Sequence, residues 1–282
     1  MSIKLIAVDM DGTFLRDDKS YDRPRFQKQF EELKNLGIHL AIASGNQLFK
    51  LQAYFDDYDY NHTYIAENGA YVQVAGEDLH IHTLPPEHNE AVYKFLEIHP
   101  DCCAIVCGRK RAYVLDSLPR GSYLLTCNYY EKLEKISDYR IIDDQILKIA
   151  MNLNNYDHDR LLAAALTELN GILVPVTSGH QFVDLIMPGI HKAFGLRALQ
   201  EHLGIDDSEV ATFGDNGNDV EMLKQARFGF AMANGAESAK QAASYRIGTN
   251  NDDSVLDIFD LIIASAKDGS DIEEQLKPYL KH

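Results

Sequence analysis

The chain has 282 residues, 45% of them hydrophobic and 25% charged, the balance of a folded globular protein and not of a disordered one. Lys and Arg total 27 against 43 Asp and Glu, a formal charge of −16, so broad binding to nucleic-acid backbones is disfavoured and a phosphorylated ligand needs a local positive site. No apolar run approaches a membrane span and the first strand begins at Ile3, leaving no room for a leader, so the expectation is a cytoplasmic protein with neither membrane nor nucleic-acid partners.

The opening run from Ile3 to Val8 is apolar and β-branched and stops in Asp9-Met10-Asp11-Gly12-Thr13. Residues i and i+2 of an extended chain point the same way, so Asp9 and Asp11 can face a common point. Two carboxylates about 4 Å apart repel by roughly 4 kcal/mol at an effective dielectric near 20, so the pair calls for a cation, a shared proton or an exposed loop. An amphipathic helix through Phe26, Phe30, Leu33 and Leu36 follows, started by Pro24 and ended by Gly37. The run 38–43 predicts a buried strand that leads into Ser44-Gly45-Asn46 and a second helix through Leu48, Leu51 and Phe55. Strand, helix, strand, helix implies a parallel sheet. A third apolar piece ends in Glu67-Asn68-Gly69, which reads as a turn in preference to a substrate contact, and runs at 70–75 and 79–83 predict a hairpin about Gly76.

From Pro85 the rhythm changes to α+β: a helix through Val92, Phe95 and Leu96, strands at 102–107, 112–116 and 146–152, a helix through Leu161 to Leu169, and strands at 172–176 and 181–187. All four cysteines, Cys102, Cys103, Cys107 and Cys127, fall in this segment without a paired C-x2-C spacing and read as reduced packing residues. Pro85-Pro86 and Pro188-Gly189 bracket the block, which predicts a core made of residues 1–84 and 188–282 and an inserted domain at 85–187. Beyond Pro188 the βα alternation resumes: helix 190–203, strand 209–213, helix 217–225, strand 228–232, helix 236–243, strand 244–247 and helix 254–264, before a charged tail.

Three strands of the alternating part end in polar groups: Asp9 and Asp11, Ser44, and Gly214-Asp215-Asn216-Gly217-Asn218-Asp219. In an open parallel sheet the carboxyl edge is where ligands bind, so these groups can converge there. Mg2+ prefers a few oxygen ligands plus water and phosphate oxygens, which Asp9, Asp215 and the Asp11 carbonyl can supply, with Asp219 as a supporting ligand or a residue behind them. Asp9 can attack phosphorus to form an aspartyl-phosphate, and Asp11 can protonate the leaving alkoxide and then activate water. Ser44, the Gly12 and Thr13 N–H groups and Asn218 offer donors to the phosphoryl oxygens, and Lys192 offers an ammonium. Taken singly, Asp9 and Asp11 also suit a solvated Asp-Gly turn, Ser44 a helix cap and Lys192 a solvated surface charge.

In order along the chain, Asp9-Met10-Asp11-Gly12-Thr13, Ser44, Lys192 and Gly214-Asp215 with Asn218-Asp219 resemble the four motifs of the haloacid dehalogenase (HAD) superfamily, and the insert resembles the type IIB (C2B) cap of its Cof-like hydrolases. The resemblance implies an α/β fold, a Rossmann-like core with a parallel sheet and helices on both faces plus an α+β cap. It also implies Mg2+-dependent hydrolysis of small sugar phosphates. It assigns Asp9 as nucleophile, Asp11 as general acid/base, Ser44 and Lys192 as phosphate binders, Asp215 as metal ligand and Asp219 with Asn218 in support. Many relatives carry Thr-Gly-Arg where this chain has Ser44-Gly45-Asn46, so an arginine contact is absent and Asn46 suggests a neutral polyol partner. Thr177, Ser178, Gly179 and His180, between two cap strands, are the cap candidates for substrate contact. The same aspartyl-phosphate would serve a phosphotransferase or phosphomutase, or a phosphate-accepting regulatory module, although Asp11 favours turnover.

Overall fold

The computed structural model describes residues 2–55, 62–152, 157–177 and 182–280. In chain order the strands are β1 (Leu5–Val8), β2 (His39–Ala43), β3 (Thr63–Ala66), β4 (Tyr71–Val74), β5 (Glu77–Ile81), β6 (Ala104–Gly108), β7 (Ala112–Leu115), β8 (Leu133–Ile136), β9 (Ile146–Asn152), β10 (Val174–Thr177), β11 (Phe182–Ile186), β12 (Val210–Gly214), β13 (Phe228–Met232) and β14 (Tyr245–Ile247). The helices are α1 (Arg23–Asn35), α2 (Leu48–Ala53), α3 (Pro86–Ile98), α4 (Arg120–Cys127), α5 (His158–Glu168), α6 (Lys192–Leu203), α7 (Val220–Gln225), α8 (Glu237–Ala242), α9 (Ser254–Asp268) and α10 (Ile272–Leu276).

Two sheets result. The first runs β14-β13-β12-β1-β2-β3-β4-β5, parallel from β14 to β3 and finished by the antiparallel β4–β5 hairpin. Its central strands β1, β3, β12 and β13 are buried throughout because both sides of the sheet are covered there. Ile6 and Val8 pack in the cluster that includes Phe26 and Phe30 of α1 and Ile258 and Phe259 of α9. Leu5 and Ala7, which point the opposite way, pack with Ala193, Leu196 and Leu199 of α6 and Met222 of α7. The β2 strand alternates in the same manner, with Leu40 and Ile42 on the α1 side and Ala41 and Ala43 on the α6 side. The helix ends follow local chemistry: the Asp22 side chain caps α1 by accepting the Arg25 N–H at 3.1 Å, and α6 stops at Gly204 in the left-handed region.

The second sheet, β10-β11-β9-β6-β7-β8, is antiparallel except for the β7–β8 pair. Two of its elements, α4 and β8, have no counterpart in the sequence pattern. Only Thr126 is buried in α4, and β8 buries Ile136 alone, so neither carries an apolar period. The charged tail docks as α10 through buried Ile272 and Leu276, and Leu280 bridges to Tyr245. Among the described residues no helix is long and apolar enough to cross a membrane, and the four cysteines form no disulfide.

Candidate active site

Strand β1 lies at the point where strand order reverses, with β2 on one side and β12 on the other, so the loops leaving these three strands diverge and open a crevice at their carboxyl ends. The sequence places Asp9, Ser44 and Asp215 directly after them. Together with Asp11, Gly45, Asn46, Asn216 and Asn218 they line a cleft that opens to solvent.

Asp9 is 5% exposed and its N–H bonds the Phe213 carbonyl at 3.0 Å, which fixes the loop to β12. Lys192, at the first turn of α6, is fully buried, and its Nζ lies 2.5 Å from Asp9 Oδ1 and 2.6 Å from Asp219 Oδ1. Burial works against the ammonium, but Asp219 and Asp9 outweigh it and hold the Lys192 pKa above its ordinary value. The other oxygen of Asp219 accepts the N–H groups of Asp215 and Asn216, both at 3.0 Å. Asp219 therefore has both oxygens engaged, holding Lys192 and the loop that carries Asp215. Asp215 accepts the Thr13 hydroxyl at 3.2 Å, and the Gly12 Cα lies so close that a Cβ there would stand 2.6 Å from Asp215 Oδ2, a contact only glycine allows.

One carboxylate oxygen each from Asp9, Asp215 and Asp219 lies within 4.8 Å of the others. Burial, then the Asp219 charge, pushes the Asp215 pKa up to about 7. Burial also raises Asp9, with Lys192 pulling against it and Asp219 and Asp215 adding to it. One ammonium beside two buried carboxylates and the half-buried Asp215 leaves a negative excess, and an all-oxygen set of this kind fits a hard divalent cation.

Asp11 sits nearer the cleft mouth. Its Oδ1 accepts Lys19 Nζ and its Oδ2 accepts Asn46 Nδ2, both at 2.6 Å. The neutral-polyol reading of Asn46 thus meets a different local fact: its amide is turned onto Asp11. Ser44 Oγ accepts the Asn46 N–H at 3.1 Å, and Asn218 Nδ2 donates to Asn68 Oδ1 at 3.0 Å.

The wall opposite these loops comes from the second sheet and its connections: Tyr129, Tyr130, Lys148 of β9 and Asp184 of β11. Of the cap candidates, Thr177 is exposed at the end of β10 beside Gly217 and is not among the cleft-lining residues, while Ser178, Gly179 and His180 lie outside the described residues. Lys148 and Asp184 go unmarked by motif spacing, yet a charge inside the apolar runs Ile146–Asn152 and Phe182–Ile186 is the signal that marks them. Lys148 Nζ bonds the Gly45 carbonyl at 2.5 Å and Asp184 Oδ2 at 2.9 Å, and stands 3.4 Å from Glu67 Oε2. Glu67-Asn68-Gly69 is a turn, as expected, but Glu67 (φ 51°) and Asn68 (φ 55°) are both left-handed, and the turn delivers Asn68 Nδ2 to Asp184 Oδ2 at 2.6 Å.

The sequence profile of the haloacid dehalogenase-like hydrolases matches residues 6–259. The chain is 41% identical over 263 residues to 5-amino-6-(5-phospho-D-ribitylamino)uracil phosphatase YbjI of Escherichia coli, spanning 93% of this chain and 97% of that one. It is 25% identical over 264 residues to 5-amino-6-(5-phospho-D-ribitylamino)uracil phosphatase YitU of Bacillus subtilis, spanning 89% and 94% respectively. Among solved structures, SMU.1108c of Streptococcus mutans superposes with a TM-score of 0.88 at 30% identity, over 94% of this chain and 100% of that one. The chain therefore belongs to the haloacid dehalogenase-like hydrolases and is a phosphatase of that family.

Proposed function

We propose that this phosphatase hydrolyses small phosphorylated sugars and polyols, with Mg2+ as cofactor and the phosphoryl group carried transiently on Asp9. The observation that carries the reading is the meeting of Asp9, Asp215 and Asp219 within 4.8 Å of one another, in a cleft that Asp11 and Ser44 also line. Residues 85–187 are taken as the cap, whose Tyr129, Tyr130, Lys148 and Asp184 face the reacting loops.

Asp9 and Asp215, with the Asp11 backbone carbonyl, would hold the metal, while Asp219 keeps Lys192 and the 215–216 loop in place. A bound Mg2+ would neutralise charge on the phosphate and on the two aspartates. Lys192 fixes the Asp9 carboxylate, which attacks phosphorus as the ester P–O bond breaks. Asp11, once it has exchanged its Lys19 contact for a proton from solvent, gives that proton to the departing alkoxide. In the second step Asp11 takes a proton from water, whose oxygen attacks phosphorus and frees Asp9 and inorganic phosphate. Ser44 accepts the Asn46 N–H and keeps its own O–H for a phosphoryl oxygen. Asn218 is held by Asn68 at the cleft wall and offers its remaining amide hydrogen. The cap roof keeps bulk water from the acyl phosphate and sets the leaving group.

The names of YbjI and YitU point to a ribityl phosphate within this class, and the paired Tyr129 and Tyr130 offer aromatic faces to a base-bearing leaving group. The test is phosphate release from sugar phosphates, ribitol 5-phosphate and 5-amino-6-(5-phospho-D-ribitylamino)uracil, after chelation and after Mg2+ is restored. Release that stops with chelator and returns with Mg2+ supports the reading. Release indifferent to chelator overturns the metal, and transfer to an acceptor sugar without free phosphate favours a phosphotransferase.

A further inference from the structure

Behind the reacting carboxylates a second polar cluster spans the two sheets. Lys148 and Asp184 lie diagonally across the β9–β11 pairing, in which Asp184 faces Ala150, and both are at most 3% exposed. Two of the ammonium hydrogens of Lys148 are taken by hydrogen bonds, to the Gly45 carbonyl and Asp184 Oδ2, and its charge is balanced by Asp184 and by Glu67, whose Oε2 stands 3.4 Å away. Lys148 is therefore already neutralised within the cluster. Asp184 is different. Both of its donors, Lys148 Nζ at 2.9 Å and Asn68 Nδ2 at 2.6 Å, converge on Oδ2. Its Oδ1 receives no hydrogen bond from any described residue, yet the side chain is 2% exposed and lines the cleft. That oxygen is not sealed off: it is reached from the cleft, where a ligand hydroxyl can take the place of water as its donor.

The surroundings say what kind of donor it is. The cleft wall carries Asp9, Asp11, Asp215 and Asp184, and its two lysines are committed, Lys19 to Asp11 and Lys148 as above. Among the described residues lining the cleft, none offers an uncommitted cation to a second anionic group. A neutral hydroxyl can donate to Asp184 Oδ1, whereas a carboxylate at the same place meets only negative charge. The acceptor is also held stiffly. Asn68 is gripped between Asp184 and Asn218 on a turn of two left-handed non-glycine residues, and Gly45 packs tightly beneath it, since a Cβ there would stand 3.0 Å from Asn68 Oδ1 and 3.3 Å from Asp184 Oδ2.

We infer that Asp184 is a specificity-determining residue whose Oδ1 accepts a hydrogen bond from a hydroxyl of the leaving group, selecting neutral hydroxylated phosphate esters over esters whose leaving group is anionic. The inference deepens the proposed function and rests on it. Lys148 and Asn68 act as positioning residues for that oxygen. Lys148 reaches from β9 to the Gly45 loop of the first sheet and Asn68 from the turn after β3 to β11, so the acceptor is held by contacts that bridge the two sheets.

Asp184→Asn tests it sharply. Lys148 and Asn68 claim the position of Oδ2 and hold the amide oxygen there, so the amide nitrogen takes the place of Oδ1 and turns an acceptor into a donor at nearly constant shape. The measurement is kcat/KM on glycerol 3-phosphate, on 3-phosphoglycerate, which has a carboxylate where the first has a hydroxymethyl, and on p-nitrophenyl phosphate, which has neither. Wild type is expected to prefer glycerol 3-phosphate over 3-phosphoglycerate by roughly tenfold or more, and the variant to shrink that ratio by roughly ten- to hundredfold, the range for a hydrogen bond to a charged group. A structural role alone would lower all three esters together and leave the ratio unmoved. An unmoved ratio in Asp184→Asn and in Asp184→Ser, or equal loss on all three esters in both, overturns the inference. Wild-type turnover of p-nitrophenyl phosphate with no sugar or polyol phosphate hydrolysed would instead overturn the substrate class proposed above.

Discussion

Glu67→Gln should change how stability depends on pH. Glu67 is 1% exposed, and neither carboxylate oxygen makes a hydrogen bond among the described residues. At 3.4 Å, Lys148 gives it an ion pair without a well-formed hydrogen bond. Burial raises its pKa from 4.5 to about 7, against the pull of Lys148 and with help from Asp184. An acid raised on folding binds more protons folded than unfolded, so the stability it contributes is full below pH 4.5 and is lost as pH rises through 7. At about 1.4 kcal/mol per tenfold change in proton affinity, the difference is about 3 kcal/mol across that window. Urea unfolding of both proteins from about pH 4.5 to pH 8 isolates it, because every other titration common to the two cancels. The wild-type free energy minus that of Glu67→Gln should fall by about 3 kcal/mol between the ends. Parallel curves would refute the reasoning, since they would mean that Lys148 keeps Glu67 ionised throughout.

Lys192→Met removes the single ammonium buried among Asp9, Asp215 and Asp219 and should cost roughly 3–5 kcal/mol in chelator-containing buffer. The loss should shrink on acidification, because Asp9 and Asp215 have raised pKa values and take up protons once the ammonium is gone; an unchanged melting temperature at pH 7 would contradict the burial argument. Gly45→Ala drives a methyl group against Asn68 and Asp184, and overpacking of this kind costs about 1–3 kcal/mol. Its KM should rise more than its kcat falls, and wild-type kinetics would show that the 67–69 turn gives way freely.

What could be read from the chain follows from where each residue draws its environment. The strands β1, β2 and β12 are legible because a parallel strand covered on both faces must be apolar throughout, and the polar residues that end them are local facts. That these ends meet follows from the sheet rule alone. The burial of Lys192 is not local. It follows from Asp9 and Asp219, 183 and 27 residues away, which make a buried ammonium tolerable where a lysine taken singly would be solvated. Lys148 and Asp184 were hidden for the same reason, each an anomaly in an apolar strand until the other is seen 36 residues away. The backbone of Glu67-Asn68-Gly69 was legible as a turn, but the partners of its side chains belong to other elements. The partner of the Asn46 amide was not legible either, because a missing arginine says nothing of where an amide turns, and it turns to Asp11.

The central claim is that Asp9 carries the phosphoryl group. Its most direct test is acid quenching of Asp11→Asn during turnover of a sugar phosphate with Mg2+, followed by peptide mass analysis. Without its acid/base carboxylate the enzyme should dephosphorylate slowly and accumulate one phosphoryl group on the peptide that contains Asp9, absent from the Asp9→Asn/Asp11→Asn double variant. A phosphoryl group on another residue, or sustained hydrolysis by Asp9→Asn, would contradict it.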